Sequence, residues 1–375
     1  MKRKIIIYIK LLIIFIIFNF FKFNDFFIKI FLSYKYDIEN IENYFKLCSR
    51  EKLINRNKYK INKFPKVSII SPVYNREKFI PRFLRSVQNQ KFNDIEIMLI
   101  DDYSNDNSVK LIEKYQEKDK RIVLIKNKKN KGTLISRNIG ALNSRGEYLI
   151  FPDPDDIISK NIINHCYNFI RTYNYEMIRF NLYTTNHEIF LKDIVHDLEN
   201  KKISQPELST NLFYAKGKLL QIDFNVSNKI IKRKAYIRAL NSVNEYYLNL
   251  YMINAEDGLM NYIFYRTVKT LFYTNRIGYY YIMNNTNTTE VKFNDKKLRA
   301  FFYNLKFIFE YSKNNKYEKD MANAYFYKFI SPINNNQLKK IISNDCKFYN
   351  DIINIYLNCE FISSKNKIKL KSIKC

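Results

Sequence analysis

VSIISPVYNREKFIPRFLRSVQNQKFNDIEIMLIDDYS, residues 67–104, contains two short apolar runs with an amphipathic segment between them. The runs at 67–70 and 95–100 are rich in Ile and Val and end at polar turns, which is typical of buried strands. Between them, apolar residues recur every three or four positions, which predicts a helix over Glu77–Gln90. The stretch therefore predicts a strand–helix–strand unit.

The same alternation continues along the next fifty residues. The apolar spacing predicts helices over Ser108–Lys118 and Leu134–Asn143, and strands over Arg121–Ile125 and Glu147–Phe151. Strands and helices that alternate at this spacing are typical of a mainly parallel sheet flanked by helices. We therefore predict an α/β, Rossmann-like fold, in which ligands bind beyond the carboxyl ends of the strands.

Polar side chains follow three of the predicted strands directly. Tyr74 and Asn75 follow the first strand, Asp101 and Asp102 end the second, and the acidic turn 153–156 follows the fourth. Because the carboxyl ends of parallel strands meet at one edge of a sheet, we expect these side chains to form a ligand site there.

The acidic turn carries three carboxylates within four residues, on Asp153, Asp155 and Asp156. Two prolines stiffen this turn, so the carboxylates are aimed in advance. A dense set of oxygen ligands suits a hard divalent cation, Mn²⁺ or Mg²⁺. The alternative is an ordinary Asp-rich turn that caps the next helix, which is predicted to begin near Ser159.

No phosphate-binding glycine loop accompanies the predicted sheet. Neither G-x-G-x-x-G nor G-x-x-x-x-G-K-[ST] occurs, which excludes the dinucleotide-binding and P-loop versions of the fold. A bound diphosphate would then be neutralised by the metal and by basic side chains. Arg137, just inside the helix that follows Gly132, is suitably positioned for this, and the alternative is a surface arginine of that helix.

The composition narrows the function classes further. The chain has 375 residues, 46% of them hydrophobic, which excludes wholesale disorder. A formal net charge of +28 attracts polyanions, but the lysines are spread along the chain and no zinc finger, basic zipper or RNP motif occurs. We therefore expect no nucleic-acid partner. Five scattered cysteines without a CxxC pair exclude a structural zinc site and a dense disulfide framework.

The amino terminus combines positive charge with an apolar stretch. Met1–Lys4 carries three basic side chains, and the apolar Ile5–Phe21 is near the lower length limit of a transmembrane helix. We predict a membrane signal-anchor at residues 1–22 and a stem at 23–64, which gives a single-pass membrane protein. The domain would face the Golgi or endoplasmic reticulum lumen in a eukaryote, and the cytosolic face of the inner membrane in a bacterium. The alternative is a β-rich or amphipathic segment that does not span, since Lys10 falls within the stretch.

Several spaced motifs resemble the family 2 glycosyltransferases, which have the GT-A fold. In the family's order, they are the opening stretch extended to residue 108, GTLISRNIGALNSRGEYLIFPDPDD at 132–156, NVSNKIIKRKAY at 225–236 and AEDGLMNYIF at 255–264. The resemblance runs over residues 66–289 and is strongest over 66–157. It implies a GT-A domain at 65–290, followed by a helical region at 291–375.

The resemblance implies a site for a nucleotide-sugar donor, a UDP-sugar in most relatives. Pro72, Tyr74 and Asn75 would line the nucleoside pocket. Asp102, with Asp101 beside it, would hydrogen-bond the base.

The resemblance also implies how the diphosphate is held. Arg137 would approach it, Asp153 and Asp155 would bind the ribose and the metal ion, and Asp156 would assist them. The ion would be Mn²⁺ or Mg²⁺.

Catalysis is implied at a second acidic motif. Asp257 would take the proton from the acceptor hydroxyl, and Glu256 would orient the substrate or the base. One displacement would invert the anomeric carbon and transfer one hexosyl or N-acetylhexosaminyl group to a glycan, glycolipid or glycoprotein. Considered alone, the pair is also a common stabilising feature of a helix N-terminus.

Two positions depart from the family pattern. Tyr103 stands where relatives usually have Gly, which predicts a differently shaped turn, and Pro154 replaces a small residue and stiffens the acidic turn. The chain has no Trp, so the motif of processive synthases is absent and a single addition is favoured. The departures leave one alternative, a catalytically degenerate glycosyltransferase-like protein that binds nucleotide sugars.

Overall fold

A computed structural model of the chain describes residues 63–186, 189–192, 202–204, 214–215, 218–219, 225–252, 255–282, 295–311, 335–343, 345–357 and 364–374. The predicted anchor at 1–22, and the predicted stem up to residue 62, lie outside these residues. Within the described part, no helix combines the length and the apolar character needed to cross a bilayer.

Twelve strands are present in the described residues. They are β1 Val67–Val73, β2 Ile95–Asp101, β3 Ile122–Lys126, β4 Tyr148–Ile150, β5 Ile157–Ile158, β6 Met177–Asn186, β7 Ile189–Lys192, β8 Lys202–Ser204, β9 Tyr214–Ala215, β10 Lys218–Leu219, β11 Lys229–Lys232 and β12 Thr270–Ile282.

Eleven helices are present in the same residues. They are α1 Ile80–Gln88, α2 Ser108–Lys118, α3 Thr133–Asn143, α4 Ile162–Tyr173, α5 Arg233–Asn241, α6 Glu245–Leu248, α7 Glu256–Thr267, α8 Asp295–Tyr311, α9 Asn335–Ile342, α10 Cys346–Leu357 and α11 Ser364–Ile373.

The large sheet has the strand order β3-β2-β1-β4-β11-β6-β12-β5. Its first four strands are parallel, which confirms the prediction for the amino-terminal half. Strand β11 then runs antiparallel to both of its neighbours, β4 and β6. The sheet is therefore mixed beyond β4, in a region where the sequence pattern alone assigned no strands.

Strand β1 is longer than its sequence pattern predicts. The prediction ended it at Ile70, whereas the pairing with β2 continues through Pro72 to Val73. Proline is tolerated there because β4 pairs only with the stretch from Val67 to Ile69. Beyond Ile69, strand β1 has one hydrogen-bonded neighbour, so the N–H that proline lacks is not needed by a second strand.

Helices cover both faces of the sheet. Side chains of α1, α2 and α4 pack with Val67, Ile69 and Ile97 in one buried cluster. Side chains of α3, α5 and α7 pack with Ile70 and Ile100 in the other. The alternation of residues within one strand between two clusters confirms a sheet that is buried on both sides.

The carboxyl-terminal helices belong to the second of these clusters. Leu305 of α8, Leu338 of α9, Ile353 of α10 and Leu370 of α11 are buried in it together with residues of the sheet. These four helices lie within the region at 291–375 that was expected to be helical, and residues 312–334 of that region lie outside the described residues. The predicted boundary at residue 290 thus falls between segments that share one hydrophobic core.

Gly140 is required where α3 crosses the sheet. A Cβ atom at this position would lie 2.3 Å from Cγ2 of Ile70 and 2.7 Å from Cδ1 of Ile100. We expect Gly140→Ala to lower the free energy of unfolding by about 1–3 kcal/mol, because overpacking forces the core apart. Leu142→Ala, at a 56% exposed position of the same helix, is the control. Urea unfolding checks both variants, and equal stability of the two would contradict the close approach of α3.

Candidate active site

Two turns are joined at the carboxyl ends of β1 and β2. The backbone N–H of Asn75 donates to Oγ of Ser104 at 3.0 Å, and the N–H of Asn105 donates to Oδ1 of Asn75 at 2.8 Å. Asn75 has a φ of 52°, a left-handed conformation that asparagine tolerates. The turn leaves the ring of Tyr74 43% exposed beside it. The structure thus brings together the first two strand ends, as predicted.

Tyr103 occupies a backbone conformation that favours glycine. Its φ is 69°, and its ring is 53% exposed. A left-handed conformation costs a residue with a side chain about 1–2 kcal/mol. The Tyr-for-Gly departure therefore keeps a glycine-like backbone here and adds an exposed ring next to the paired aspartates.

Asp102 fixes the loop that precedes α3. Its carboxylate accepts hydrogen bonds from the backbone N–H groups of Lys131 and Gly132 and from the side chain of Asn127, each at 2.8 Å. Both of its oxygens are thus engaged within the protein. Its neighbour Asp101 accepts from the N–H of Ser104 at 3.3 Å through one oxygen. The predicted contact of this pair with a base stays a prediction, and the loop contacts were not foreseen from the sequence.

The acidic turn presents its three carboxylates differently. The side chain of Asp153 is 30% exposed and that of Asp155 is 13% exposed, whereas Asp156 is buried. Both oxygens of Asp156 accept hydrogen bonds from β12, from the Tyr279 hydroxyl at 2.6 Å and the N–H of Ile282 at 2.8 Å. The structure therefore assigns Asp156 to holding β12 against the turn, and leaves Asp153 and Asp155 as the partly exposed carboxylates of the turn.

Burial affects the protonation of this turn. It raises the pKa of the Asp155 carboxyl, the neighbouring charge of Asp153 raises it further, and Arg76 opposes the shift. The pKa of Asp156 is raised well above its usual range by burial and by the two neighbouring carboxylates. A divalent cation beside Asp153 and Asp155 would relieve this repulsion between like charges.

Two arginines reach Asp155, Arg76 from the turn after β1 and Arg82 from helix α1. Nε of Arg76 lies 3.6 Å from Oδ2 of Asp155, and Nη2 of Arg82 donates to the backbone carbonyl of Asp155 at 2.6 Å. Neither arginine was assigned a role from its sequence pattern. For Arg76, the position shortly after the end of β1 was the available signal, because that edge of the sheet is where ligands bind.

Arg137 joins the acidic turn to the second acidic motif. Its Nη2 donates to Asp153 at 2.7 Å, and its Nη1 contacts Glu256 at 3.3 Å and also donates to Asp257. The arginine is only 2% exposed; burial alone would lower its pKa, but the charges of the three carboxylates outweigh this and raise the pKa well above its usual value. The family resemblance implies that Arg137 approaches the diphosphate, and this stays a prediction; in this structure its guanidinium contacts three carboxylates.

Glu256 and Asp257 stand in the first turn of α7, as predicted. Burial raises the pKa of both carboxyls, and Arg137 opposes this rise. Asp257 also accepts a hydrogen bond from the N–H of Val226 at 3.3 Å. The preceding residue, Ala255, has a φ of 64°, so the helix starts from a left-handed residue.

Strand β11 is preceded by a segment that contacts both acidic motifs. Oγ of Ser227 donates to Asp153 at 3.2 Å, and the neighbouring Val226 contacts Asp257. The Tyr279 hydroxyl accepts from the N–H of Asp153 at 3.0 Å. These supporting contacts could not be predicted from local sequence, because the residues are 74 and 126 positions away from Asp153 along the chain.

The carboxylates of Asp153 and Asp155 fit a divalent cation that also binds the phosphates of a nucleotide. In the described residues, no group of three or more His, Cys, Asp or Glu side chains is arranged to hold a metal. A cation bound together with a nucleotide needs only one or two carboxylates, because phosphate and water oxygens complete its shell. Asp153 and Asp155 supply that number.

The family model described as Glycosyl transferase family 2 matches residues 68–241. These residues are a family 2 glycosyltransferase domain. The match includes the turns at the ends of β1 and β2, the acidic turn and Arg137, while Glu256 and Asp257 follow it along the chain. Curated glycosyltransferases of bacteria match the chain over 42%, 32% and 53% of their own lengths, so the chain spans only part of them.

A longer match is to a Staphylococcus aureus enzyme. The poly(ribitol-phosphate) β-N-acetylglucosaminyltransferase TarP is 28% identical over 73% of this chain and 76% of its own length. Among solved structures, S. aureus TarS in complex with UDP-GlcNAc has a TM-score of 0.61 at 17% identity, covering 82% of this chain and 89% of that one. GalNAc-T7 with UDP, GalNAc and Mn²⁺ has a TM-score of 0.50 at 15% identity, covering 75% of this chain and 55% of that one. These likenesses show that the glycosyltransferase domain has a GT-A-like fold.

Proposed function

We propose that the protein transfers one sugar from a UDP-sugar to a hydroxyl of a glycan, glycolipid or glycoprotein, with inversion at the anomeric carbon. The observation that carries the proposal is the Arg137 guanidinium, which contacts Asp153 and Asp257 at once. A carboxylate suited to the donor's metal and one suited to deprotonating the acceptor therefore stand on the two sides of a single planar group. In this arrangement an anomeric carbon would lie between a leaving diphosphate on the Asp153 side and an attacking hydroxyl on the Asp257 side.

The donor would occupy the edge formed by β1 and β2. Pro72, Tyr74 and Asn75 would line the nucleoside, and Asp101 and Asp102 would support the base and the adjoining loop. TarS binds UDP-GlcNAc and TarP transfers N-acetylglucosamine by its name, which supports a UDP-sugar with an N-acetylhexosamine or hexose.

A divalent cation, Mn²⁺ or Mg²⁺, would be held by Asp153 and Asp155. When bound, it would neutralise charge on the leaving diphosphate. The Mn²⁺ in GalNAc-T7, which shares the fold, supports this choice of ion. Asp156, with both oxygens engaged by β12, would act by supporting the turn.

Asp257 would act as the general base. It accepts the proton of the acceptor hydroxyl as that oxygen forms a bond to the anomeric carbon and the bond to the diphosphate oxygen breaks. Glu256, buried beside it, would hold Arg137 and orient the base. The membrane association and compartment predicted from residues 1–22 remain proposals beside this one.

A catalytically degenerate protein that binds nucleotide sugars is the second candidate. The observation that favours it is the enclosure of Arg137, because a guanidinium already neutralises the carboxylates that a metal and an acceptor would use. Nucleotide affinity without transfer or donor hydrolysis would support this candidate.

Thermal unfolding of the full chain with nucleotides tests the proposal. We expect UDP with Mn²⁺ to stabilise the protein by about 2.7 kcal/mol at a hundred times its dissociation constant, and EDTA to abolish the effect. A panel of UDP-sugars then identifies the donor for a turnover assay. A protein that melts cooperatively and gains no stability from any nucleotide would contradict both candidates.

A further inference from the structure

Because Arg137 is already paired with carboxylates, a further cationic side chain would help to neutralise the donor's diphosphate. That arginine is 2% exposed and contacts three carboxylates, on Asp153, Glu256 and Asp257. Bringing it to a phosphate would break its three ion pairs and leave the buried carboxylate of Glu256 without its partner, which is unfavourable.

Arg76 lies between the two ends of the donor site. Its Nη1 donates to the backbone carbonyls of Tyr74 and Asn75, each at 3.3 Å, so it borders the turn assigned to the nucleoside. Its Nε lies 3.6 Å from Oδ2 of Asp155, one of the two carboxylates assigned to the metal. In a nucleoside diphosphate, the phosphates connect the nucleoside to the metal, so this guanidinium borders the path that they must follow.

The contacts of Arg76 are also ones that a ligand can replace. The distance to Asp155 is longer than that of a charge-assisted hydrogen bond, and the side chain is 21% exposed. Its backbone N–H, by contrast, is fixed by a 2.8 Å bond to Oγ of Ser108 at the start of α2. The backbone is therefore anchored while the guanidinium faces the site.

We infer that Arg76 is a donor-binding residue that contacts the diphosphate, an inference that rests on the proposed function. In the absence of nucleotide, Arg76 compensates the charge of Asp155. A cation at Asp155 repels the guanidinium, and the diphosphate oxygens offer it a planar, bidentate partner. Arg82, which donates to the backbone carbonyl of Asp155, supports the turn and keeps its contact.

The affinities of the full chain and of Arg76→Gln for three probes test the assignment. The probes are UDP with Mn²⁺ and Mn²⁺ alone, both titrated in a calorimeter, and uridine. We expect the variant to bind UDP with Mn²⁺ about 10- to 100-fold more weakly, the loss typical of one charge-assisted contact. Its affinity for uridine, measured by ligand-observed NMR, should be unchanged. Its affinity for Mn²⁺ alone should be equal or higher, because a competing cation has been removed from Asp155.

A lower affinity for UDP, with unchanged affinity for uridine and equal or higher affinity for Mn²⁺, would distinguish the loss of a ligand contact from structural damage. Arg76→Lys should recover part of the UDP affinity, since it restores the charge without the planar fork. Arg82→Gln, the control, should leave the ratio of UDP to uridine affinity unchanged. If Arg76→Gln lost UDP, uridine and Mn²⁺ binding together, the role would be structural and the assignment wrong. If Arg76→Gln bound UDP as tightly as the wild type does, the assignment of Arg76 would be wrong and the proposed function would stand. If the wild-type chain itself bound no UDP, both the assignment and the proposed function would be wrong.

Discussion

Asp257→Asn is expected to lower the turnover number for sugar transfer by about a thousandfold, within the range that general-base catalysis contributes. The amide keeps the shape of the side chain and one oxygen for the Arg137 contact, but it cannot accept the acceptor's proton. Arg137 stands between Asp257 and Asp153 of the donor site and keeps its contact with Asp153, so UDP affinity with Mn²⁺ should stay within a few-fold of that of the wild type. Steady-state transfer kinetics and calorimetry on the same preparation measure the two quantities.

Glu256→Gln is the matched control for this variant. It also removes one negative charge from the surroundings of Arg137, but it leaves the base in place, so we expect a loss of about tenfold or less. Equal losses in the two variants would contradict the assignment of the base.

The pH dependence of transfer should follow the ionisation of Asp257. Burial raises the pKa of Asp257. The base must be ionised to work, so activity falls as the pH drops through that raised pKa, at a higher pH than an ordinary Asp would give.

Asp155→Asn is expected to remove the metal dependence of donor binding. A carboxylate ligand contributes both charge and an oxygen to the cation, and we expect kcat/KM to fall about a hundredfold or more. Unlike Asp257→Asn, this variant should also bind UDP more weakly than the wild type does in Mn²⁺. In EDTA, the variant and the wild type should bind UDP equally, and both much more weakly than the wild type does in Mn²⁺. Titration with UDP in Mn²⁺ and in EDTA checks both expectations.

Asp156→Asn provides the comparison for the adjacent position. Because both oxygens of Asp156 accept hydrogen bonds from β12, we expect this variant to lose about 1–3 kcal/mol of stability and to keep its response to Mn²⁺. A loss of metal response in Asp156→Asn, with Asp155→Asn unaffected, would exchange the roles that we assign to the two residues.

Most of the amino-terminal half of the fold was predictable from local pattern. Strands β1 to β4 and helices α1 to α3 appear in the predicted order, because each carries an apolar repeat with the period of its own structure. The predicted ends were less accurate. The extension of β1 through Pro72 depends on how far β4 runs beside it. The pairing of β1 with β4 joins distant segments, so the local sequence pattern does not predict it.

The antiparallel insertion of β11 was not predictable in the same way. Lys229–Lys232 is a four-residue strand with two apolar residues, too short for a periodic signal. It becomes a strand because it fits between β4 and β6 and pairs with both. Its insertion carries Val226 and Ser227 to Asp257 and Asp153, so a feature that the sequence pattern missed also completes the site.

The residue types of the site and the edge of the sheet where they meet follow from the sequence, since carboxylates placed directly after parallel strands must gather at one edge. The partners of each group were decided by the tertiary structure alone. Asp155 and Asp156 are adjacent in the chain, yet one faces the site and the other holds β12. Arg137 was assigned to a diphosphate and is enclosed by carboxylates, one of them 120 residues away. Charge and burial at such positions depend on contacts between distant segments, which only the folded chain brings together.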